Sequence, residues 1–340
     1  MFFRKAEKSQ GAPRERSVFV ALAPFRIEPT FVDRVWGYGD LHPWYDRVAS
    51  GEPIGEVWLT GDDCEVATGP HAGKPLGEVF DEAPEALLGQ KRSSEGSPLL
   101  IKVLFAREKL SVQVHPDDRL AQKYAQSRGK TECWYVLDAK PGAEVAAGLK
   151  PGVTMAEVRA GIEDGTLENS LNVLQIDRGD MIYVDAGTVH AIWPGSVLLE
   201  AQQNSDLTYR MFDYGRGREL HIEKSLEAAR LVTRAGKIPP IVLEDRTILV
   251  DSDYFCVERI PVEVSRTSSS LPREGESTPG LAYLFAAAGN GRLASPSFET
   301  VELPARGIVA VPASSPVFAI QDLGGLDLMR ISPRWPESAA

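Results

Sequence analysis

A chain of 340 residues, 43% hydrophobic and 25% charged, has the composition of a globular protein and the length for two ordinary cores. Its formal net charge of -11 argues against a general nucleic-acid binder, which needs a basic surface, but leaves room for a small anion held by a few local cations. No run of about 18 apolar residues occurs, so no membrane span is expected, and the three cysteines, Cys64, Cys133 and Cys256, lack the spacing of a disulfide framework or a thiolate zinc site and suit a reducing cytoplasm.

Residues 1–23 read as an N-terminal extension, mobile over 1–16, where basic residues dominate. The apolar run Val18 to Ala23 is short for a signal-peptide core and is expected to lead into the fold. From Phe25 to Pro98, Trp-Gly, His-Pro, Glu-Pro and Gly-Pro steps punctuate the chain. They predict irregular structure with short strands, and a short helix over Asp81 to Gln90. The pattern then changes. Partly alternating apolar runs between turn residues predict strands at Leu99 to Phe105, Leu110 to His115, Cys133 to Asp138 and Glu144 to Leu149. Thr154-Met-Ala-Glu157 has the form of a capping box and opens a helix to about Ile162. Strands resume at Leu171 to Ile176, Met181 to Val184, Val189 to Trp193, Val197 to Gln203 and Thr208 to Tyr214. A helix follows over Lys224 to Val232, and Lys237-Ile-Pro-Pro240 marks a boundary.

The last hundred residues are again β-like, with strands at Phe255 to Val262, Leu281 to Ala287, Ile308 to Val311, Val317 to Ile320 and Asp327 to Ile331. Ser265 to Pro279 reads as a polar loop. Val184-Asp-Ala186 before His190 is echoed by Val311-Pro-Ala313 before Val317, as in two related β-barrels of which the second lacks the histidine. The expected division is a catalytic domain over 24–238 and a β domain over 239–340. With 30 glycines and 24 prolines, the fold class is mainly β, with a small helical segment.

Two stretches carry chemistry. Gly179 to His190 has the form G-x5-(P)-x-G-x2-H, the second cupin motif, with Asp185 where proline usually stands. In Gln113-Val-His115, residues i and i+2 of a strand face the same side, and such polar groups inside a barrel need partners. Glu132 opens the next strand. Two imidazoles, a carboxylate and an amide oxygen make a four-ligand metal site. A polar interior satisfied by hydrogen bonds is the alternative that spacing leaves open.

Leu-Ser111-Val-Gln113-Val-His115-Pro-Asp-Asp, Gly-Lys130-Thr-Glu132-Cys-Trp-Tyr-Val, Ala-Gly187-Thr-Val-His190-Ala-Ile and Gln-Asn-Ser-Asp206-Leu-Thr-Tyr-Arg210 stand in that order. Together they resemble the type I mannose-6-phosphate isomerases in their short bacterial form. The resemblance covers roughly Phe25 to Arg230. It implies a pair of cupin barrels, the first metal-binding and the second degenerate, with a small helical insertion. It implies one zinc ion per chain on Gln113, His115, Glu132 and His190. Lys130, Glu200, Asp206 and Arg210 match residues around the substrate, and Ser111 matches a serine near the metal strand. The segment Val57-Trp58-Leu59, followed by Gly61-Asp-Asp, departs from the family's commoner pattern, which bears on how the pocket closes.

Moving a proton between C1 and C2 of a sugar phosphate passes through an enediol or enediolate, whose charge a net-positive zinc would stabilise. Glu200, Lys130 and Asp206 are the candidate bases. Lys130 and Arg210 are candidate phosphate ligands, and Asp206 could instead orient Arg210 as an ion pair. His221 is expected to be structural, His42 and His71 exposed, and Trp134 and Trp193 walls of the site. The expected activity is zinc-dependent interconversion of mannose 6-phosphate and fructose 6-phosphate by a cytoplasmic monomer or homodimer. The alternatives are the same chemistry on another sugar phosphate, or a metal cupin that binds sugars without turnover. An iron oxygenase, built on two histidines and one carboxylate with open positions, fits less well, because Gln113 joins the ligand set and the Lys130/Arg210 pair argues against it.

Overall fold

The computed structural model describes residues 21–89, 96–262, 266–268 and 280–335. In chain order the first strands are β1 (Phe25–Ile27), β2 (Thr30–Tyr38) and β3 (Ile54–Thr60), followed by helices α1 (Leu76–Glu82) and α2 (Pro84–Leu88). Then come β4 (Leu99–Ala106), β5 (Val112–Val114), α3 (Asp118–Lys123), β6 (Glu132–Ala139), β7 (Glu144–Leu149) and α4 (Met155–Asp164). The first barrel ends with β8 (Leu171–Gln175), β9 (Met181–Val184), β10 (His190–Ile192), β11 (Ser196–Gln203), β12 (Tyr209–Phe212), α5 (Ile222–Ala228) and β13 (Gly236–Lys237). The C-terminal part holds β14 (Ile241–Val242), β15 (Thr247–Asp251), β16 (Phe255–Ile260), β17 (Arg266–Ser268), β18 (Ala282–Ser295), β19 (Phe298–Leu303), β20 (Ile308–Val311) and β21 (Phe318–Pro333). The expectation of a mainly β fold with little helix holds. No helix among the described residues is long and apolar enough to cross a membrane.

Two antiparallel sheets face each other in the first barrel. One has seven strands in the order β13-β9-β6-β11-β4-β3-β2, the other five in the order β12-β5-β10-β7-β8. Their facing surfaces enclose Leu104, Trp134, Val136, Val145, Ile182 and Leu198. The outer face of the seven-stranded sheet is buried too. Its Val57, Ile101, Val103, Tyr135 and Leu199 share one core with Phe255, Tyr283, Phe285 and Ile331 of the C-terminal sheet. Hence β4 and β6 read as nearly unbroken apolar runs rather than alternating ones, since both faces are covered. The outer face of the five-stranded sheet lies under α4 and α5, with Val112, Val114, Val158, Ile162 and Met211 between them.

The C-terminal part is a nine-stranded sheet with its own interior of Ile260, Leu284, Leu293, Val309 and Leu328. Strand β1 belongs to this sheet, pairing with β20 from Phe25↔Ala310 to Ile27↔Ile308. The echo noted above is structural: Val184 and Val311 each end a strand, and a short turn leads to the next strand in both places.

Differences from expectation have local causes. The helix expected over Asp81 to Gln90 is two helices, because Pro84 cannot continue the first and is well placed to open the second. α3 was hidden behind Pro116-Asp-Asp, which reads as a turn; Asp117 is its N-cap and accepts from the Leu120 N–H at 2.8 Å. The capping box on Thr154 is present in full, and α4 ends at Gly165 in the left-handed conformation. The helix expected to reach Val232 stops at Ala228, where Ala229 turns extended. The two strands expected at Val317 to Ile320 and Asp327 to Ile331 are parts of the single strand β21. Within the loop expected over Ser265 to Pro279, residues 266–268 form β17, and the rest lies outside the described residues. So do residues 1–20 of the expected extension.

Candidate metal centre and its cavity

The register of the sheets assembles the site. Arg210 on β12, Gln113 on β5 and His190 on β10 are Cα partners in one row across three neighbouring strands, so their side chains share the inner face. His115 lies two residues after Gln113 on that face. From the opposite sheet, Glu132, Trp134 and Val136 alternate inward on β6, and Glu200 on β11 is the register partner of both Trp134 and Lys102. The turn that delivers His190 contains Gly187 at φ 89°; a Cβ there would also meet the Arg230 side chain at 2.8 Å. Asp185, in the usual proline position, stiffens the turn by hydrogen bonds instead: it accepts from the Thr188 hydroxyl at 3.0 Å and the Arg234 N–H at 3.1 Å.

His115, Glu132 and His190 are buried and bring one ligand atom each to within 4.8 Å of one another. Among the described residues they are the one such group. His115 Nδ1 donates to the Leu207 carbonyl at 2.7 Å and His190 Nδ1 to the Thr188 carbonyl at 2.9 Å. A carbonyl only accepts, so these bonds fix the tautomer and turn both Nε2 lone pairs inward. Burial pushes His115 down to about 3, with Lys130 acting in the same direction. Burial lowers His190 as well, against the opposing pull of Glu132. Both rings are therefore neutral near pH 7. Glu132 stays ionised: burial works against its charge, but Lys130 outweighs it and holds the carboxyl well below its usual range.

Each Nε2 lies 3.4 Å from a Glu132 oxygen. Lone pairs thus face a carboxylate. His115 Nε2 and Glu132 Oε2 make no hydrogen bond although both are buried. Orphaned acceptors converging on one point are expensive unless a cation sits between them. Gln113 is the fourth group. Its amide nitrogen lies 3.2 Å from His190 Nε2, and its oxygen accepts from the Ser111 hydroxyl at 3.3 Å. Turned over, the near-isosteric amide presents its oxygen to the centre and its NH2 to Ser111. The donor set of two imidazoles, one carboxylate and one amide fits a divalent metal with N and O preference.

The centre opens into a cavity of about 360 Å³ lined by both sheets. Along its floor runs an alternating chain of charge that the sequence did not reveal. Arg34 grips Glu56 with two bonds, at 2.9 and 3.2 Å. Lys102 lies 3.6 Å from Glu56 and 3.2 Å from Glu200. Lys130 lies 4.0 Å from Glu200 and 3.3 Å from Glu132. Burial raises Glu200 to about 7, with Glu132 adding to the shift and the two lysines opposing it. Burial also disfavours the charge on Glu56, but Lys102 and Arg34 outweigh it and bring that carboxyl down to about 2.

Every candidate residue named from sequence lines the cavity or faces the centre, but not always as expected. Asp206 is exposed at the mouth and makes no ion pair with Arg210 among the described residues; the Arg210 guanidinium donates instead to the Glu219 carbonyl at 2.9 Å. His221 accepts from the Arg210 backbone N–H at 3.1 Å and is structural. His71 is half-buried rather than exposed, whereas His42 is exposed between Asp40 and Asp46. Trp134 packs edge-on to His190 with ring centroids 5.6 Å apart, whereas Trp193 lies under Lys109 and the cavity wall is Trp36. Lys102, Glu56, Arg34 and Arg218 were missed. The one available signal was Lys102 itself, a charge inside Leu99 to Ala106, where a strand with both faces buried must pair it.

Sheet order, facing layers and a buried centre reached through a polar cavity define a cupin-type enzyme. Residues 25–159 match the model of the phosphomannose isomerase type I catalytic domain. The probable mannose-6-phosphate isomerase GmuF of Bacillus subtilis is 38% identical over 249 residues, which are 69% of this chain and 78% of that one. The mannose-6-phosphate isomerase of Streptococcus mutans is 37% identical over 247 residues, 69% of this chain and 77% of its own. The crystal structure of a mannose 6-phosphate isomerase from Bacillus subtilis superposes with a TM-score of 0.80 at 30% identity, covering 92% of this chain and 99% of that one. The chain belongs to the type I phosphomannose isomerase family, and is an enzyme of the mannose-6-phosphate isomerase class.

Proposed function

We propose that this chain interconverts mannose 6-phosphate and fructose 6-phosphate with one zinc ion held by Gln113, His115, Glu132 and His190. The observation that carries the reading is the convergence of two neutral, tautomer-locked imidazoles on an ionised, buried carboxylate, with His115 Nε2 left without a hydrogen bond and Glu132 Oε2 held by the Lys130 ammonium at 3.3 Å. Zinc supplies a Lewis acid there, since three neutral ligands and one carboxylate leave it net positive and able to stabilise the charge of an enediolate.

The chain's own residues do the rest. Glu200 is the best-supported carrier of the proton between C1 and C2. It is buried on the cavity wall, and a carboxyl raised to about 7 is poised both to take a proton and to return it. Lys102, 3.2 Å away, keeps enough of it ionised to act as a base. Lys130, paired with Glu132 and Glu200, stabilises charge at the centre. Asp206 is exposed at the mouth of the cavity. Ser111 and Arg210 border the metal ligands on the five-stranded sheet and contact the sugar phosphate.

The test is a coupled assay of mannose 6-phosphate conversion before chelation, after chelation, and after zinc add-back. Turnover is expected to vanish and return with zinc. A verified zinc-loaded protein that leaves mannose 6-phosphate untouched would retire that substrate.

A further inference from the structure

The cations of this cavity are not equivalent. Lys102 and Lys130 each lie between two carboxylates, and Arg34 spends its planar fork on Glu56. A dianionic group placed among them would meet Glu56, Glu132 and Glu200. The other end of the lining is built differently. Arg210, Arg216 and Arg218 gather around one buried carboxylate, Asp213. Burial opposes its charge, but Arg218, then Arg216 and Arg210, hold it low. Arg210 itself is lowered by burial and by repulsion from Arg218. Three guanidiniums against Asp213 and the exposed Glu219 leave this end net positive.

Two of the donors at this end are also uncommitted. Arg218 holds Asp213 with Nε at 2.8 Å and Nη2 at 2.5 Å, which fixes the plane of its guanidinium and leaves Nη1 without a protein partner among the described residues. Arg210 commits Nη1 to the Glu219 carbonyl, while its Nε is buried without a partner. Arg216 is turned away, bonded to the Lys109 carbonyl at 2.8 Å and to Asp213. Of the three, only Arg210 and Arg218 line the cavity.

Resting on the sugar-phosphate reading above, we propose that Arg218, braced by Asp213, is the residue that selects a phosphorylated sugar: its outer edge, beside Arg210, receives the phosphate and sets the sugar's reacting end toward the metal ligands. A planar, pre-oriented guanidinium suits phosphate oxygens. Asp213 fixes its direction, so little ordering entropy remains to be lost on binding. The site therefore takes sugars bearing a terminal phosphate and discriminates against the unphosphorylated sugar, which leaves the outer edge of Arg218 without a partner.

The experiment compares zinc-loaded parent, Arg218→Gln, Arg218→Lys and, as a remote control, Arg306→Gln. Four readouts are taken: zinc content, melting temperature, steady-state kinetics on mannose 6-phosphate, and calorimetric titration with inorganic phosphate. Arg218→Gln is expected to keep its zinc and to lower kcat/KM, chiefly through KM, about 10- to 100-fold, the loss of one charge-assisted contact. Inorganic phosphate affinity is expected to fall by a similar factor. Arg218→Lys should recover part of both, and the control should match the parent. A KM and a phosphate affinity unchanged in Arg218→Gln would overturn the inference and leave the isomerase reading intact. Arg218-dependent phosphate binding in a zinc-loaded parent that does not turn over mannose 6-phosphate would retain the anion site and remove the reading. Equal losses in Arg218→Gln and Arg218→Lys, with a lower melting temperature in both, would mark Arg218 as a structural partner of Asp213 and overturn the proposal.

Discussion

His115→Ala and His190→Ala are each expected to lose stoichiometric zinc and to lower turnover by about 10³-fold or more. Each ring supplies one of the inward Nε2 lone pairs, and each is already aimed by a backbone carbonyl, so no neighbouring side chain can swing in as a substitute. Removing one ring leaves Glu132 with Lys130 as its main partner and takes away one of the neutral nitrogen donors that a dication needs. The measurement separates metal loss from misfolding. Zinc should raise the melting temperature of the parent, because it binds the folded state alone, and that increment should be absent in both variants even where their metal-free melting temperatures stay close to the parent's. Metal content by atomic absorption gives the second readout. Stoichiometric zinc in either variant would overturn the ligand assignment.

Gln113, His115 and His190, three of the proposed ligands, were legible in the sequence because each sits in a motif with fixed spacing. Gln113 and His115 are i and i+2 on a strand, and His190 follows a Gly-rich turn three residues after Gly187. Glu132 was legible only through its surroundings, since nothing in one strand's pattern says which strand lies opposite. The same limit hid Lys102, Glu56 and Arg34. Their chain of ion pairs exists because β2, β3, β4, β11 and β6 are neighbours in one sheet, and sheet order is not written in local periodicity. Strand existence was readable across most of the barrel, for apolar runs between turn residues are a local signal. Strand ends were less so: β4, β6 and β11 are covered on both faces, so their apolar runs carry no alternation to mark where pairing stops. Arg218 was passed over because a charged residue in a Gly-rich loop is ordinarily a solvated one; its bond to Asp213 is a matter of loop geometry.

Lys102→Met is expected to cost stability and turnover together, with a pH signature that identifies why. Lys102 is buried between Glu56 and Glu200, and its ammonium stays charged because the two carboxylates, Glu200 first, outweigh burial. Glu56 keeps Arg34 and the Trp58 N–H when the lysine goes. Among the described residues Glu200 keeps only Lys130, at 4.0 Å. Its carboxyl, already raised from 4.5 to about 7 in the fold, must rise further. A raised carboxyl favours the folded state below its unfolded value, and that contribution is lost as pH climbs through the folded value. The variant is therefore least penalised near pH 5, where Glu200 is protonated in both proteins. It is most penalised near pH 8, where removing one partner of a buried pair costs about 3–5 kcal/mol. Turnover at pH 7 should fall about 10²-fold or more, since a protonated Glu200 cannot act as base, and the acid limb of kcat/KM should move to higher pH. Urea denaturation at pH 5.5 and pH 8 checks the first claim. The double variant Lys102→Met/Glu200→Gln checks the second, since it removes the stranded charge and is expected to regain stability at pH 8 without regaining activity. A stability loss of the same size at both pH values would mean that Lys102 acts by packing, and that the alternating charges do not set the protonation of Glu200.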